Sequence, residues 1–337
     1  MKALIVAPSW IGDTVLAQAL FIRLHEGTPG LQLDALAPRW VAPVLERMPQ
    51  ITEVVDSPFV HGELSLKARH RLARQLAQRG YQRAYVLPNS IKSALIPFLA
   101  DIPERIGFVG ETRYGLINHR HTLNKALLPQ MAERFAQLAE VPGAPLRRPI
   151  PQPRLLASSA QRAATLAALA IDLPEKLAVF CPGAEYGPAK RWPAAYYAEL
   201  ARALGARGHA IWLLGSAKDA PVADEIVAAS AGAAENLCGR TTLGQALDLI
   251  ASARLVVTND SGLMHVAAAL GRPLIALYGS SSPDYTPPLS DKAAIIWRKP
   301  DCSPCFKREC PLGHFRCMTE LTPDSVLETA TRKLADA

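Results

Sequence analysis

The chain of 337 residues carries 49% hydrophobic and 20% charged side chains, enough apolar material for two cores and far from the composition of a disordered protein. No apolar run reaches the ~20 residues of a membrane span, and the opening M-K-A-L-I-V-A-P is too short for a signal peptide, so a cytoplasmic protein without a transmembrane segment is expected. The net charge of +7 suits an acidic substrate or a membrane surface; nucleic acid is disfavoured, because the basic residues are scattered and aromatics make up only 6%.

In chain order, residues 2–7 read as a buried strand, followed by the turn P-S-W-I-G-D. A helix over 14–26 carries Val15, Leu16, Ala19, Leu20 and Ile22 at helical spacing. Strands are expected at 31–37, 53–56 and 83–87, helices at 41–48 and 64–79. The loop P-N-S-I-K-S then leads to a helix over 93–100, an edge strand at 106–108, a basic loop over 110–121 and a helix over 125–139. Residues 141–153 hold five prolines and few large apolar side chains, the composition of a linker.

Beyond the linker the alternation restarts. Helices are expected at 159–170, 194–206, 219–231, 242–251 and 263–270, strands at 177–181, 209–214, 255–258 and 273–278, and a helix at the C-terminus. The pattern predicts an α/β protein of two Rossmann-like domains facing across a cleft, 1–150 and 151–337. There is no G-x-G-x-x-G after the first strand and no G-x-x-x-x-G-K-[ST], which counts against a dinucleotide dehydrogenase and a P-loop nucleotidase.

The chemistry concentrates at T-N-D-S-G-L-M-H, residues 258–265. Asp260 or Ser261 supplies an N-cap, and the free N–H groups of Ser261, Gly262 and Leu263 sit at the positive end of a helix dipole, which suits a diphosphate. His265 lies one turn in. A capped structural helix with a satisfied histidine explains the pattern equally well. The loop C-P-G-A-E-Y-G-P-A-K-R-W-P follows a strand; Gly183 and Gly187 permit a tight turn, and Lys190 and Arg191 supply charge. Taken alone it reads as a surface loop with incidental basic residues; opposite the helix at Ser261, Lys190 is placed to neutralise a diphosphate leaving group. Asp13, at the start of the first long helix, is either a helix cap or a general base. Cys302, Cys305, Cys310 and Cys317 follow C-x2-C-x4-C-x6-C; structural zinc, reduced thiols and a redox-sensitive pair all remain open.

Together P-S-W-I-G-D-T, L-P-N-S-I-K-S-A-L-I-P-F, C-P-G-A-E-Y-G-P-A-K-R-W-P and T-N-D-S-G-L-M-H-V-A-A-A-L resemble the lipopolysaccharide heptosyltransferase family, over nearly the whole chain. The resemblance implies a GT-B glycosyltransferase moving L-glycero-D-manno-heptose, with inversion, from ADP-heptose to the first heptose of the lipopolysaccharide inner core. It implies an N-terminal acceptor domain and a C-terminal donor domain, with Asp13 as base and Lys190, Asp260, Ser261, Gly262, Leu263 and His265 around the diphosphate, beside Gly183. The loop N-L-C-G-R-T-T-L resembles the family's nucleoside-side loop. No catalytic cofactor is implied. The acceptor, a lipid A–Kdo–heptose at the inner face of the inner membrane, is acidic, which suits a peripheral location and makes Lys67, Arg69, Arg71, Lys92, Arg105, Arg113 and Arg120 candidate contacts, although a solvated surface is the expectation for most of these positions. A neighbouring nucleotide-sugar transferase and a non-catalytic nucleotide-sugar binder are the alternatives.

Overall fold

The structure is a computed structural model, and it describes residues 1–59 and 64–336. The chain divides into two compact units, Met1–Pro153 and Arg154–Ala337.

The first unit is a six-stranded parallel sheet in the order β3-β2-β1-β4-β5-β6. Its strands are β1 (Lys2–Val6), β2 (Gln32–Ala37), β3 (Glu53–Asp56), β4 (Arg83–Val86), β5 (Glu104–Phe108) and β6 (His119–His121). Strands β1 and β4 pair in parallel at the centre, in the register Ile5 to Tyr85, and β1 is buried along Ala3 to Val6 as a strand covered on both faces should be. The helices are α1 (Ile11–Leu16), α2 (Gln18–Gly27), α3 (Ala42–Leu45), α4 (Leu66–Ala77), α5 (Ile91–Leu99) and α6 (Met131–Gln137).

Three expectations are corrected in this unit. The helix expected over 14–26 is two helices meeting at Ala17. In the first of them the Thr14 hydroxyl bonds back to the Trp10 carbonyl at 2.9 Å, a contact that bends helices. The helix expected over 125–139 is confined to Met131–Gln137, because Pro129 stops propagation and the Asn124 carboxamide instead accepts the Ala126 and Leu127 amides. The sheet edge is β6, inside the supposed loop, and not β5.

The second unit repeats the plan as β12-β11-β10-β7-β8-β9, again all parallel. Its strands are β7 (Leu177–Cys181), β8 (Ala210–Leu213), β9 (Ala234–Asn236), β10 (Leu255–Asn259), β11 (Leu274–Tyr278) and β12 (Ala293–Trp297). Its helices are α7 (Ser159–Leu169), α8 (Ala194–Gly205), α9 (Ala220–Ala229), α10 (Leu243–Ser252), α11 (Gly262–Ala269), α12 (Arg316–Thr319) and α13 (Pro323–Ala335). Strands β9 and β12 lie outside the expected elements. Trp192, Tyr197 and Phe180 anchor the core, and the Trp192 indole donates to the Leu321 carbonyl at 2.7 Å, tying the C-terminal segment down.

In each unit the strand order reverses between the first and fourth strands. Ligands of such sheets bind outside the carboxyl ends of strands at that reversal. In the second unit this point lies between β7 and β10, and in the first between β1 and β4.

Candidate active site

The reversal in the second unit brings together the two loops that carry Lys190 and Asp260. Strand β10 ends at Asn259, whose carboxamide is fully used: it donates to the Pro182 carbonyl at 2.7 Å and accepts from the Trp192 amide at 3.0 Å and the Tyr197 hydroxyl at 3.1 Å. One buried side chain therefore clamps the loop after β7 to the end of β10. Sequence reasoning missed it, although the T-N-D-S-G string contains it.

Lys190 closes a 3₁₀ turn, Pro188–Lys190, and its ammonium lies 2.5 Å from the Asp260 carboxylate. The Asp260 side chain is only 5% exposed and that of Lys190 17%. An ammonium has three donors, so two remain for a ligand oxygen. Ser261 is the N-cap of α11, extended at φ −146° and ψ 173°, and makes no side-chain cap. Its hydroxyl is instead 3.2 Å from that of Thr258, so the first-turn amides at Gly262 and Leu263 are left for another acceptor. His265 is buried and its Nδ1 has no hydrogen-bond partner among the described residues. Burial pushes its pKa down to about 4, with Lys190 lowering and Asp260 raising it, so at neutral pH it offers an N–H and no charge. Two further buried hydroxyls, Ser280 and Ser281, follow β11 and are likewise unpartnered among the described residues.

Gly183 serves packing: a Cβ there would collide with the Asp219 carboxyl, which itself accepts from the Ser216 amide at 2.9 Å. Gly187 sits against the backbone of Arg308, whose carbonyl accepts the Ala189 amide at 3.0 Å. The Tyr186 hydroxyl donates to the Phe306 carbonyl at 2.7 Å, and the Tyr186 ring has Lys190 at 5.1 Å and Arg308 at 5.4 Å. Arg308 is thus a second cation beside the Lys190 loop, invisible in the sequence because it arrives from 118 positions away.

The segment that supplies it holds the cysteines. All six thiols are free, and among the described residues no group of three or more His, Cys, Asp or Glu side chains is arranged to hold a metal ion. Of the three readings open for Cys302, Cys305, Cys310 and Cys317, structural zinc is therefore the one without support. Cys317 behaves as a small apolar core residue, buried beneath Gly279, with burial first and the neighbouring thiols second pushing it up to about 11. The segment is held by other bonds: Ser303 to the Gly279 carbonyl at 2.6 Å, and the Phe306 amide to the Ser280 carbonyl at 2.7 Å.

In the first unit Asp13 stands in the opening turn of α1, half-buried, while the N-cap position is held by Trp10. Lys92 lies on α5 beside the end of β4 and is half-buried. Two expected acceptor ligands are corrected. Arg113 is 2% exposed and donates to the Phe108 carbonyl at 2.7 Å, the Pro88 carbonyl at 2.7 Å and Asn89 at 2.8 Å. Arg105 donates to the Ile102 carbonyl at 2.6 Å and the Leu116 carbonyl at 2.8 Å. Both guanidiniums brace main chain, because a buried carbonyl without a donor is costly. Arg69 does the same for Leu64 and Lys92 at 2.6 and 3.0 Å.

A family model of glycosyltransferase family 9 (heptosyltransferase) matches residues 69–316. The chain belongs to that family. It is therefore an enzyme, a glycosyltransferase of the GT-B class with one Rossmann-like sheet per unit. The lipopolysaccharide heptosyltransferase 2 of Salmonella typhimurium is 45% identical over 337 residues, covering 97% of each chain. The lipooligosaccharide heptosyltransferase 2 of Haemophilus influenzae is 44% identical, over 99% of this chain and 100% of that one. The solved ADP-heptose lipopolysaccharide heptosyltransferase II of Escherichia coli superposes with a TM-score of 0.90 at 42% identity, covering 100% of this chain and 99% of that one.

Proposed function

We propose that this family 9 enzyme moves L-glycero-D-manno-heptose from ADP-heptose to the first heptose of the lipopolysaccharide inner core, with inversion at the anomeric carbon. The observation that carries the reading is the end of β10: a helix whose N-cap, Ser261, makes no side-chain cap to the first turn at Gly262 and Leu263, beside a buried Lys190–Asp260 pair. Full-length identity of 45% to a heptosyltransferase 2 supports the choice of substrates.

On this reading the second unit binds the donor. The diphosphate rests on the α11 N-terminus, Lys190 turns its two remaining donors to it, and His265 adds a neutral N–H. Leu263 and Gly262 contribute backbone, while Gly183 keeps the loop close. The first unit binds the acceptor, with Lys92 among its contacts. The acceptor hydroxyl attacks the anomeric carbon, its proton passes to Asp13, and the bond to the diphosphate oxygen breaks with the electron pair leaving on ADP. Charge grows on that oxygen as the bond breaks, so Lys190 acts most strongly in the transition state. The reaction calls for no cofactor.

The acceptor is lipid-anchored, and the enzyme works on it peripherally at the inner face of the inner membrane. No helix among the described residues is long and apolar enough to cross a membrane, and the net charge of +7 suits an anionic surface. Proton and carbon NMR of the product tests the assignment. A new heptose-on-heptose linkage of opposite anomeric configuration to the donor is expected; retained configuration or a linkage to another sugar overturns it.

A further inference from the structure

Trp10 defies two local rules. It occupies the N-cap of α1 in extended conformation, φ −94° and ψ 134°, without a side-chain cap, where Ser, Asp or Asn would satisfy a free amide. Nor does the core use its indole, which is 51% exposed. Trp40 is 52% exposed, and its indole N–H donates to the Ser9 carbonyl at 2.9 Å, which sets that ring against the segment entering Trp10.

The backbone under these rings is fixed. The Thr14 amide and hydroxyl both bond to the Trp10 carbonyl at 2.9 Å, and the Ala7 amide bonds to the Leu36 carbonyl at 3.0 Å. Two large apolar rings held half in water, one at the turn after β1 and the other at the turn after β2, contribute to neither helix capping nor core burial. Such departures from local consistency mark ligand surfaces. Asp13 stands three residues from Trp10 in the same turn.

The chemistry of the rings selects the ligand. An indole offers a flat, electron-rich face with positive-edge partners preferred, and a pyranose ring offers a flat face of polarised C–H groups. Arg39, adjacent to Trp40, is 88% exposed and only loosely paired with Asp56 at 3.6 Å, which suits an anionic sugar. We propose that Trp10 and Trp40 form a sugar-stacking subsite for the acceptor, seating a pyranose ring beside Asp13. This rests on reading the first unit as the acceptor-binding one.

Calorimetry tests the subsite with a de-acylated, water-soluble Kdo–heptose oligosaccharide, on the wild-type protein and on Trp10→Ala, Trp40→Ala, Trp10→Phe and Trp40→Phe. Each alanine variant is expected to bind the oligosaccharide about tenfold more weakly, each phenylalanine variant to recover most of the loss, and ADP-heptose affinity to stay within about twofold. Both rings are half-exposed, so the melting temperature is expected to hold. Unchanged oligosaccharide affinity in the folded alanine variants overturns the proposal. So does an equal loss of ADP-heptose affinity, which would make the rings supports of the loop. A loss seen only with acylated acceptor in anionic vesicles also overturns it, in favour of a membrane contact. Wild-type turnover on the same oligosaccharide reads the functional assignment separately.

Discussion

The Lys190 ammonium sits 2.5 Å from the Asp260 carboxylate, so this cation at the end of β10 is held by a buried anion before any diphosphate arrives. Removing one partner of such a pair strands the other. Lys190→Ala is expected to weaken ADP-heptose binding or turnover tenfold to a hundredfold, since a charge-assisted contact to phosphate is worth roughly 1.5–3 kcal/mol. It is also expected to lower stability, because Asp260 loses its counter-charge at 5% exposure. The double variant Lys190→Ala/Asp260→Asn separates the two effects: denaturation midpoints should recover while donor affinity stays low. Donor affinity restored in the double variant would show that the lysine serves only the aspartate.

Asp13→Asn is expected to fold and to bind ADP-heptose normally while losing ~10²–10⁴-fold in turnover, the usual range for general-base catalysis. Asp13 is not the N-cap of α1, and asparagine keeps the size and shape of the side chain there. Steady-state kinetics alongside donor calorimetry reads this. Turnover within a few-fold of wild type would leave Asp13 without a catalytic role.

Gly187→Ala places a Cβ onto the Arg308 carbonyl, so either the Lys190 loop or the cysteine-bearing segment must shift. The expected loss is about 1–3 kcal/mol of stability, with a raised KM for ADP-heptose and an unchanged KM for the acceptor. Equal changes in both KM values would place the Tyr186–Arg308 contact outside donor binding.

The fold was legible because β1, β7, β10 and β11 are short apolar runs closed by loops, and a strand buried on both faces leaves that trace. Strands β6 and β9 left none: H-R-H and A-E-N have no apolar repeat, and they exist because a neighbouring strand offers its edge. The Lys190 and Asp260 loops were legible as loops after strands. Their salt bridge was not, nor was the neutral state of His265, since both depend on burial that no spacing reveals. Arg105 and Arg113 misled for a related reason. An arginine bracing carbonyls and one awaiting a phosphate look alike in sequence.

His121 and His265 are both held down to about 4 chiefly by burial, below the ordinary histidine value of about 6.5. Between those values the unfolded chain binds protons that the native protein refuses. Stability from these groups is therefore complete above about pH 6.5 and falls as pH drops toward 4, by up to roughly 1.4 kcal/mol per pH unit for each histidine. Urea denaturation at pH 7.5 and pH 5 should show a smaller acid loss in His265→Asn than in the wild type. An equal loss in both would exclude His265 from the acid response.

The most direct measurement is ADP release from ADP-heptose in the presence of inner-core acceptors carrying no heptose or one heptose. Acceptor-dependent release is expected with the one-heptose acceptor and background release with the other. Turnover on the heptose-free acceptor, or none on either, would contradict the proposed transfer.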